Sequence, residues 1–264
     1  MKLFSKKPFQ ITFLFFLLSF LFVILHNLVF AIFKIEEGLF FILALIFIFL
    51  FFLSLLYNLF FFAKNFFSYS NFVDPLLQDL RIFVLKFSEF KTGDKILDLG
   101  CGTGDQAIFF AKNGALVYGI DINPKMIDCA QKSSKKEGLN INFQQADGAN
   151  LPFPNSFFDI TLISLVLHEI ESQKRDRIIS EMKRVTKKGG SLIFVDFNFP
   201  LPKNLSSFFV KAVEFLVGKE NWKNFKSYIK ERGLWKLLER NKLTPQKIEY
   251  LKNNLLVAIK VTNS

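Results

Sequence analysis

The chain has 264 residues and a formal net charge of +11; 51% of its positions are hydrophobic, 17% aromatic and 22% charged, with 37 phenylalanines. A composition this apolar excludes a disordered tail, and only two cysteines, Cys101 and Cys129, exclude a disulfide-stapled scaffold and a cysteine-rich zinc module. That cysteine usage fits a reducing compartment, and no metal site is expected.

Residues 1–63 hold 18 of the 37 phenylalanines, yet their only charges are Lys2, Lys6, Lys7, Lys34, Glu36 and Glu37. From Phe9 to Phe33 no side chain is charged. At ~1.5 Å per residue such a helix exceeds the roughly 30 Å of hydrocarbon in a bilayer. A second uncharged run covers 39–63, and only Lys34-Ile35-Glu36-Glu37-Gly38 separates the two. The expectation is a two-helix transmembrane hairpin over 1–63, spanning at about 9–33 and 39–63. Lysines flank it at Lys2, Lys6, Lys7 and Lys64, so both termini and the domain that follows are expected in the cytoplasm. A cleaved signal peptide is the competing reading of the first run. It leaves the placement of the later domain unchanged.

Residues 64–94 read as a connecting segment and a helix. Asp74-Pro75 supplies a cap and a first-turn proline, and Leu76, Leu77, Leu80, Phe83, Val84 and Phe87 recur at helical spacing. Beyond them apolar runs alternate with amphipathic stretches: Lys95–Leu99, Leu116–Asp121, Ile141–Asp147, Phe158–Leu165 and Ser191–Phe197 read as strands, and Lys247–Leu251 with Leu255–Val261 as a closing hairpin. This βαβ alternation predicts an α/β domain over 95–264, with a mostly parallel sheet that binds ligands at the carboxyl ends of its strands. Most of the positive charge lies in this part. Anionic lipid, nucleic acid or a plain solvated lysine surface would each suit it, and a tethered domain favours lipid.

The first strand runs into Gly100-Cys101-Gly102-Thr103-Gly104, three glycines at alternate positions before a helix. Such a turn lets a polar ligand approach bare backbone and offers it unpaired amides. The second strand ends at Asp121, a carboxylate placed for two ribose hydroxyls. The third ends at Asp147-Gly148, where a second carboxylate could accept an adenine amine lying against Ile122. An adenosine site follows.

These stretches resemble the motifs of class I S-adenosylmethionine-dependent methyltransferases: Leu97-Asp98-Leu99-Gly100-Cys101-Gly102-Thr103-Gly104, then Gly119-Ile120-Asp121, then Asp147-Gly148-Ala149-Asn150-Leu151-Pro152-Phe153. Phe157-Phe158-Asp159-Ile160, His168-Glu169-Ile170, Glu181-Met182-Lys183-Arg184-Val185 and Gly189-Gly190 resemble the small-molecule branch that includes ubiquinone and menaquinone C-methyltransferases. The resemblance implies a Rossmann-like seven-stranded sheet and S-adenosyl-L-methionine as cofactor. It implies that Gly100, Gly102 and Gly104 cradle the methionine part and that Asp98 holds its amino group. Asp121 would bind ribose, Ile122 would pack on adenine, and Asp147 with the Gly148 or Ala149 amide would read the base edge. Cys101 and Ser164 complete the cofactor set, Cys101 as small filler rather than nucleophile.

Methyl transfer from a sulfonium needs alignment more than a catalytic triad, and a base only if the acceptor must lose a proton. His168 is the first candidate base, with a backbone-bonded structural histidine as its alternative; Asp196 and Ser164 follow. The fourth strand lacks an Asn/Asp-Pro-Pro-aromatic signature and the chain lacks a Pro-Cys pair, so no nucleic-acid partner is expected. Residues 199–240 form an acceptor-side insertion in which Leu205, Phe208, Phe209, Ala212, Val213 and Leu216 make one helical stripe. That stripe could pack on the domain, cover the acceptor or lie in the bilayer interface. The leading expectation is a membrane-anchored methyltransferase whose partners are the bilayer and a hydrophobic acceptor, a quinone precursor or an aminophospholipid. A non-catalytic sensor or scaffold that binds the same cofactor is the alternative.

Overall fold

In a computed structural model of the chain, residues 42, 45–46, 48–58 and 74–264 are described, and the chain divides into two units, 1–78 and 79–264. In the first unit residues 48–58 are helical, and Phe49, Phe52, Leu53 and Leu56 are exposed although all are apolar. Among the described residues no helix is long and apolar enough to cross a membrane. The expected span at 9–33 lies outside the described residues, as does much of the one at 39–63.

Helix α1 (Asp74–Ser88) starts at Asp74 and ends before the Lys91–Asp94 turn. The second unit then alternates β1 (Lys95–Leu99), α2 (Asp105–Lys112), β2 (Leu116–Asp121), α3 (Pro124–Lys136), β3 (Asn142–Gln145), β4 (Phe158–Ser164), α4 (Ser172–Val185) and β5 (Thr186–Phe197). Three helices follow, α5 (Leu205–Val217), α6 (Lys219–Lys230) and α7 (Gly233–Arg240), before the hairpin of β6 (Lys247–Leu251) and β7 (Leu256–Thr262). The sheet order is β3-β2-β1-β4-β5-β7-β6, parallel from β3 to β5, with β7 antiparallel to β5 and β6 antiparallel to β7. β1 sits at the centre, Leu97 opposite Tyr118 on one side and Thr161 on the other. Chain order reverses between β1 and β4, the place where an open α/β sheet leaves a crevice. Ile96, Leu97, Leu162, Ile163, Ile193, Phe194 and Val257 are buried in the core, each contributing about 1.5–3 kcal/mol of apolar burial.

Two strands differ from expectation. β3 is shorter than 141–147, because Ala146 already turns to donate to Asp121 O at 3.1 Å. β5 begins at Thr186 rather than Ser191 and runs through Gly189-Gly190. The register against β4 shifts between Phe158 and Ile160, and a Cβ at Gly190 would stand 2.7 Å from Asp159 O, so a glycine bulge carries the strand past its neighbour.

The insertion is fastened to the sheet through one buried guanidinium. Arg175 of α4 donates through Nε to Leu167 O and Ile170 O, both at 3.0 Å, and through Nη2 to Asn224 O of α6 at 2.8 Å. Glu231 Oε2 lies 3.6 Å from its Nη1, and the Tyr228 ring faces the guanidinium at 5.4 Å. Asn224 Nδ2 donates to Glu169 O and the Tyr228 hydroxyl to Phe197 O. The loop after β4 and the end of β5 are therefore held by α6. Arg175→Met is expected to leave three buried carbonyls short of donors and to cost about 3–5 kcal/mol, read as a lower midpoint in denaturant unfolding.

Candidate functional site

Every residue assigned to the cofactor lies at or just beyond the carboxyl end of β1 to β4. At the end of β1, Asp98 is buried, and its Oδ2 has no hydrogen-bond partner. Burial, helped by the nearby Asp121 charge and opposed by Arg81, raises its pKa to about 7. The glycines that follow have separate reasons to be glycine. A Cβ at Gly100 would stand 2.5 Å from Val166 Cγ2, and one at Gly104 would stand 2.7 Å from the Phe143 ring, so these two let the turn pack inward. Gly102 has φ +52° and would meet nothing within 4 Å. Its bare backbone faces open space, where a ligand can approach. Cys101 is buried in the turn, and burial together with Asp98 and Asp121 pushes its thiol up, away from the reactive thiolate.

Asp121 braces this turn. Its Oδ2 accepts from Gly102 N at 3.0 Å and its Oδ1 from Asn123 N at 2.8 Å, leaving lone pairs on both oxygens for ribose hydroxyls. Ile122 beyond it is 63% exposed, an uncovered apolar surface of the kind a base ring would cover. Asp147 Oδ1 accepts the Ala149 amide at 2.9 Å, and Gly148 lies between them. The orphaned Asp98 oxygen, the open backbone at Gly102 and the exposed Ile122 fit an adenosyl cofactor that carries an amino group at one end.

The acceptor-side candidates separate. Ser164 ends β4 partly buried, and Leu165 after it takes φ +57°, a left-handed conformation that is costly for a leucine and turns the chain toward His168. His168 and Asp196 are brought together. His168 Nδ1 lies 2.7 Å from Asp196 Oδ1, and its backbone amide donates to Asp196 Oδ2 at 3.2 Å. Both residues are buried, and the imidazole stands edge-on to Phe197 at 4.7 Å. Burial alone would discharge the ring; Asp196, aided by Glu214 with Oε1 3.5 Å from Nε2, outweighs it and raises the pKa to about 10. Carboxylates thus face both ring nitrogens, Asp196 at Nδ1 and Glu214 at Nε2, an arrangement that favours the protonated ring, and a protonated ring has no lone pair for an acceptor's proton. Glu169, half exposed, has its carboxyl raised by desolvation and by the charges of Glu214, Asp196 and Asp121, while His168 lowers it.

Three contributors escaped the sequence reading. Arg175 gave no signal beyond a basic residue in an amphipathic helix. Glu214 and Ser207 did give one: they stand seven apart, on one face of a helix whose other polar residues are only Ser206 and Lys211. α5 buries that polar pair and exposes Leu205, Phe208, Phe209, Val213, Phe215, Leu216 and Val217. Of the stripe expected at Leu205, Phe208, Phe209, Ala212, Val213 and Leu216, only Ala212 is half-buried, and the other five are exposed.

Residues 96–190 match the sequence family described as a methyltransferase domain. The sheet order and the glycine turn agree with that match, which makes this region similar to a methyltransferase domain that uses S-adenosylmethionine. Among curated proteins, the ubiquinone/menaquinone biosynthesis C-methyltransferase UbiE of Pectobacterium atrosepticum is 33% identical over 132 residues, 48% of this chain and 52% of that protein. The enzyme of the same name from Bdellovibrio bacteriovorus is 36% identical over 136 residues, 49% of this chain and 57% of its own length. The aligned part thus spans about half the length of these curated relatives. The fold is shared with a methyltransferase of Aquifex aeolicus, with TM-score 0.54 and 19% identity over 70% of this chain and 89% of that one. A second structure, from Methanosarcina mazei, has TM-score 0.53 and 24% identity over 68% and 96%.

Pairing Asp98 with an ammonium group requires its ionised form, and in the free protein that form predominates only above pH of about 7. Affinity for S-adenosylhomocysteine is therefore expected to rise roughly tenfold per pH unit toward that value and to level off above it. Calorimetry at several pH values checks this, and Asp98→Asn should flatten the slope. A slope that survives the substitution would assign it to another group.

Proposed function

We propose that the chain is a membrane-anchored methyltransferase acting on a lipid-soluble aromatic acceptor of the quinone-precursor type. α5 carries this reading: a helix on the acceptor side of the cofactor turn buries its polar face and exposes seven large apolar side chains. An interfacial helix in contact with acyl chains has this arrangement. Lys203, Lys211, Lys219 and Lys223 lie exposed along and beyond it, suited to anionic headgroups. The uncharged runs 9–33 and 39–63 support an anchor, and the helical residues 48–58, apolar and exposed, suit a lipid environment. The relatives named for ubiquinone and menaquinone biosynthesis favour a quinone precursor over an aminophospholipid.

In this reading Gly102, Asp98, Asp121 and Ile122 hold the cofactor, which supplies a methyl group already activated on a sulfonium. Asp98 takes its amino group, Asp121 the ribose and Ile122 the base, with Asp147 and the Gly148 amide at the base edge, since Asp147 Oδ1 already holds the Ala149 amide. The rest of the chain aligns the acceptor and excludes water, the two effects that dominate an in-line displacement. His168, held between Asp196 and Glu214, gives the acceptor wall a fixed polar group.

Membranes containing the full chain, incubated with methyl-labelled cofactor, are expected to place the label in the neutral quinone fraction of the lipid extract. Label confined to phospholipid, protein or the aqueous phase would overturn the acceptor assignment. Cofactor binding without any transfer would favour a sensor. The topology has its own test in a cysteine-free background. An impermeant thiol reagent added to intact cells should label Glu37→Cys and spare Ser5→Cys and Ser264→Cys; the opposite pattern rejects the anchor's orientation.

A further inference from the structure

The inner face of α5 holds two oxygens that nothing among the described residues satisfies. Ser207 is 4% exposed and Glu214 7% exposed, and Ser207 Oγ and Glu214 Oε2 are both dehydrated without a hydrogen-bond partner. Buried polar atoms are seldom left so, because lost hydration is then uncompensated. Glu231 Oε2 is a contrasting case: it has no hydrogen bond either, but the guanidinium groups of Arg175 and Arg240 lie 3.6 and 3.5 Å away. Glu214 spends only Oε1 on the protein, 3.5 Å from His168 Nε2. Its other oxygen is left to accept.

The position of this pair suits an acceptor. His168 lies two residues beyond Val166, the residue that packs against Gly100 in the cofactor turn. Glu169, next in sequence, feels the charges of both Asp121 on the ribose side and Glu214 on this side. The outer face of the same helix is apolar. A molecule with a polar ring and an apolar chain would meet matching surfaces on the two faces of one helix.

We propose that Glu214 Oε2 and Ser207 Oγ form the polar subsite of the acceptor and hold a ring hydroxyl of a prenylated hydroquinone. Glu214 Oε2 receives the hydroxyl hydrogen, Ser207 adds a hydroxyl that can donate or accept, and His168 keeps the carboxylate oriented through Oε1. The inference rests on the lipid-soluble aromatic acceptor proposed above and assigns the residues that recognise it.

The test uses the full chain in detergent, saturated with S-adenosylhomocysteine, under anaerobic conditions. The probes are a hydroquinone carrying one short prenyl chain and its dimethyl ether, with binding measured by calorimetry. Glu214→Gln, which keeps the side-chain shape, is expected to weaken the hydroquinone at least about tenfold, and Ser207→Ala about threefold. Neither should change S-adenosylhomocysteine affinity appreciably; Glu214→Gln, which takes a charge from beside His168, should lower the melting temperature modestly and Ser207→Ala should leave it unchanged. The ether should bind the unaltered protein about as weakly as the hydroquinone binds Glu214→Gln. Hydroquinone affinity unchanged in both variants, or the same loss for hydroquinone and ether, would overturn the subsite. If Glu214→Gln fails to fold, Ser207→Ala decides by the same two readings. Should the unaltered protein bind S-adenosylhomocysteine but neither probe, the acceptor class itself falls, and the subsite with it. Should it bind the hydroquinone and methylate it while both variants match it, only the subsite falls.

Discussion

The contact between Asp196 and His168 ties together the parts of the domain that make a site possible. Asp196 ends the fifth strand inside the protein, and a buried carboxylate needs a cation or several donors. It has the His168 ring, the His168 amide and the Phe197 amide at 2.7 Å. Those bonds fix the loop that leaves the fourth strand at Leu165, and with it Val166 against Gly100. Phe197, Phe225 and Tyr228 surround the imidazole and shut out water. Arg175 then holds the outer side of the same loop through Leu167 O and Ile170 O. A cation on each side of one short segment gives it a single conformation, which alignment chemistry requires.

Around this centre charges are distributed unevenly. Among the described residues Asp98 Oδ2 has no hydrogen-bond donor, and burial outweighs the Arg81 charge, so the carboxyl stays partly protonated until something positive arrives. Asp121 differs because two backbone amides already meet it. One carboxylate is thus spent on organising the turn, and the other keeps an unpartnered oxygen. The three glycines divide in the same way. Two remove a Cβ that the interior could not accommodate, and the middle one leaves the outer surface bare.

α5 inverts the usual order of a helix on a soluble domain. Its apolar residues face outward, Leu216 at 80% exposure, while a serine and a glutamate face inward. Seven exposed apolar side chains on one helix are costly in water and favourable at a lipid surface. The inward pair is costly in an apolar core and useful beside an imidazolium. Periodicity locates such a stripe but not the side it faces, because an apolar stripe has the same spacing whether it meets a core or a membrane.

The sequence by itself determined the α/β alternation, the start of α1, the glycine turn and the carboxylates at the ends of the first three strands. These are local facts: strand and helix periods, cap residues, and the backbone freedom of glycine before a helix. It also marked His168 and Asp196 one at a time, each at a strand's carboxyl side. Only the tertiary structure decided that they are one pair and that Glu214 and Arg175 complete the surroundings. Asp196, Glu214 and Arg175 come to the segment around His168 from β5, α5 and α4. Their roles depend on burial and on neighbours brought close by the fold, and neither spacing nor composition encodes those distances.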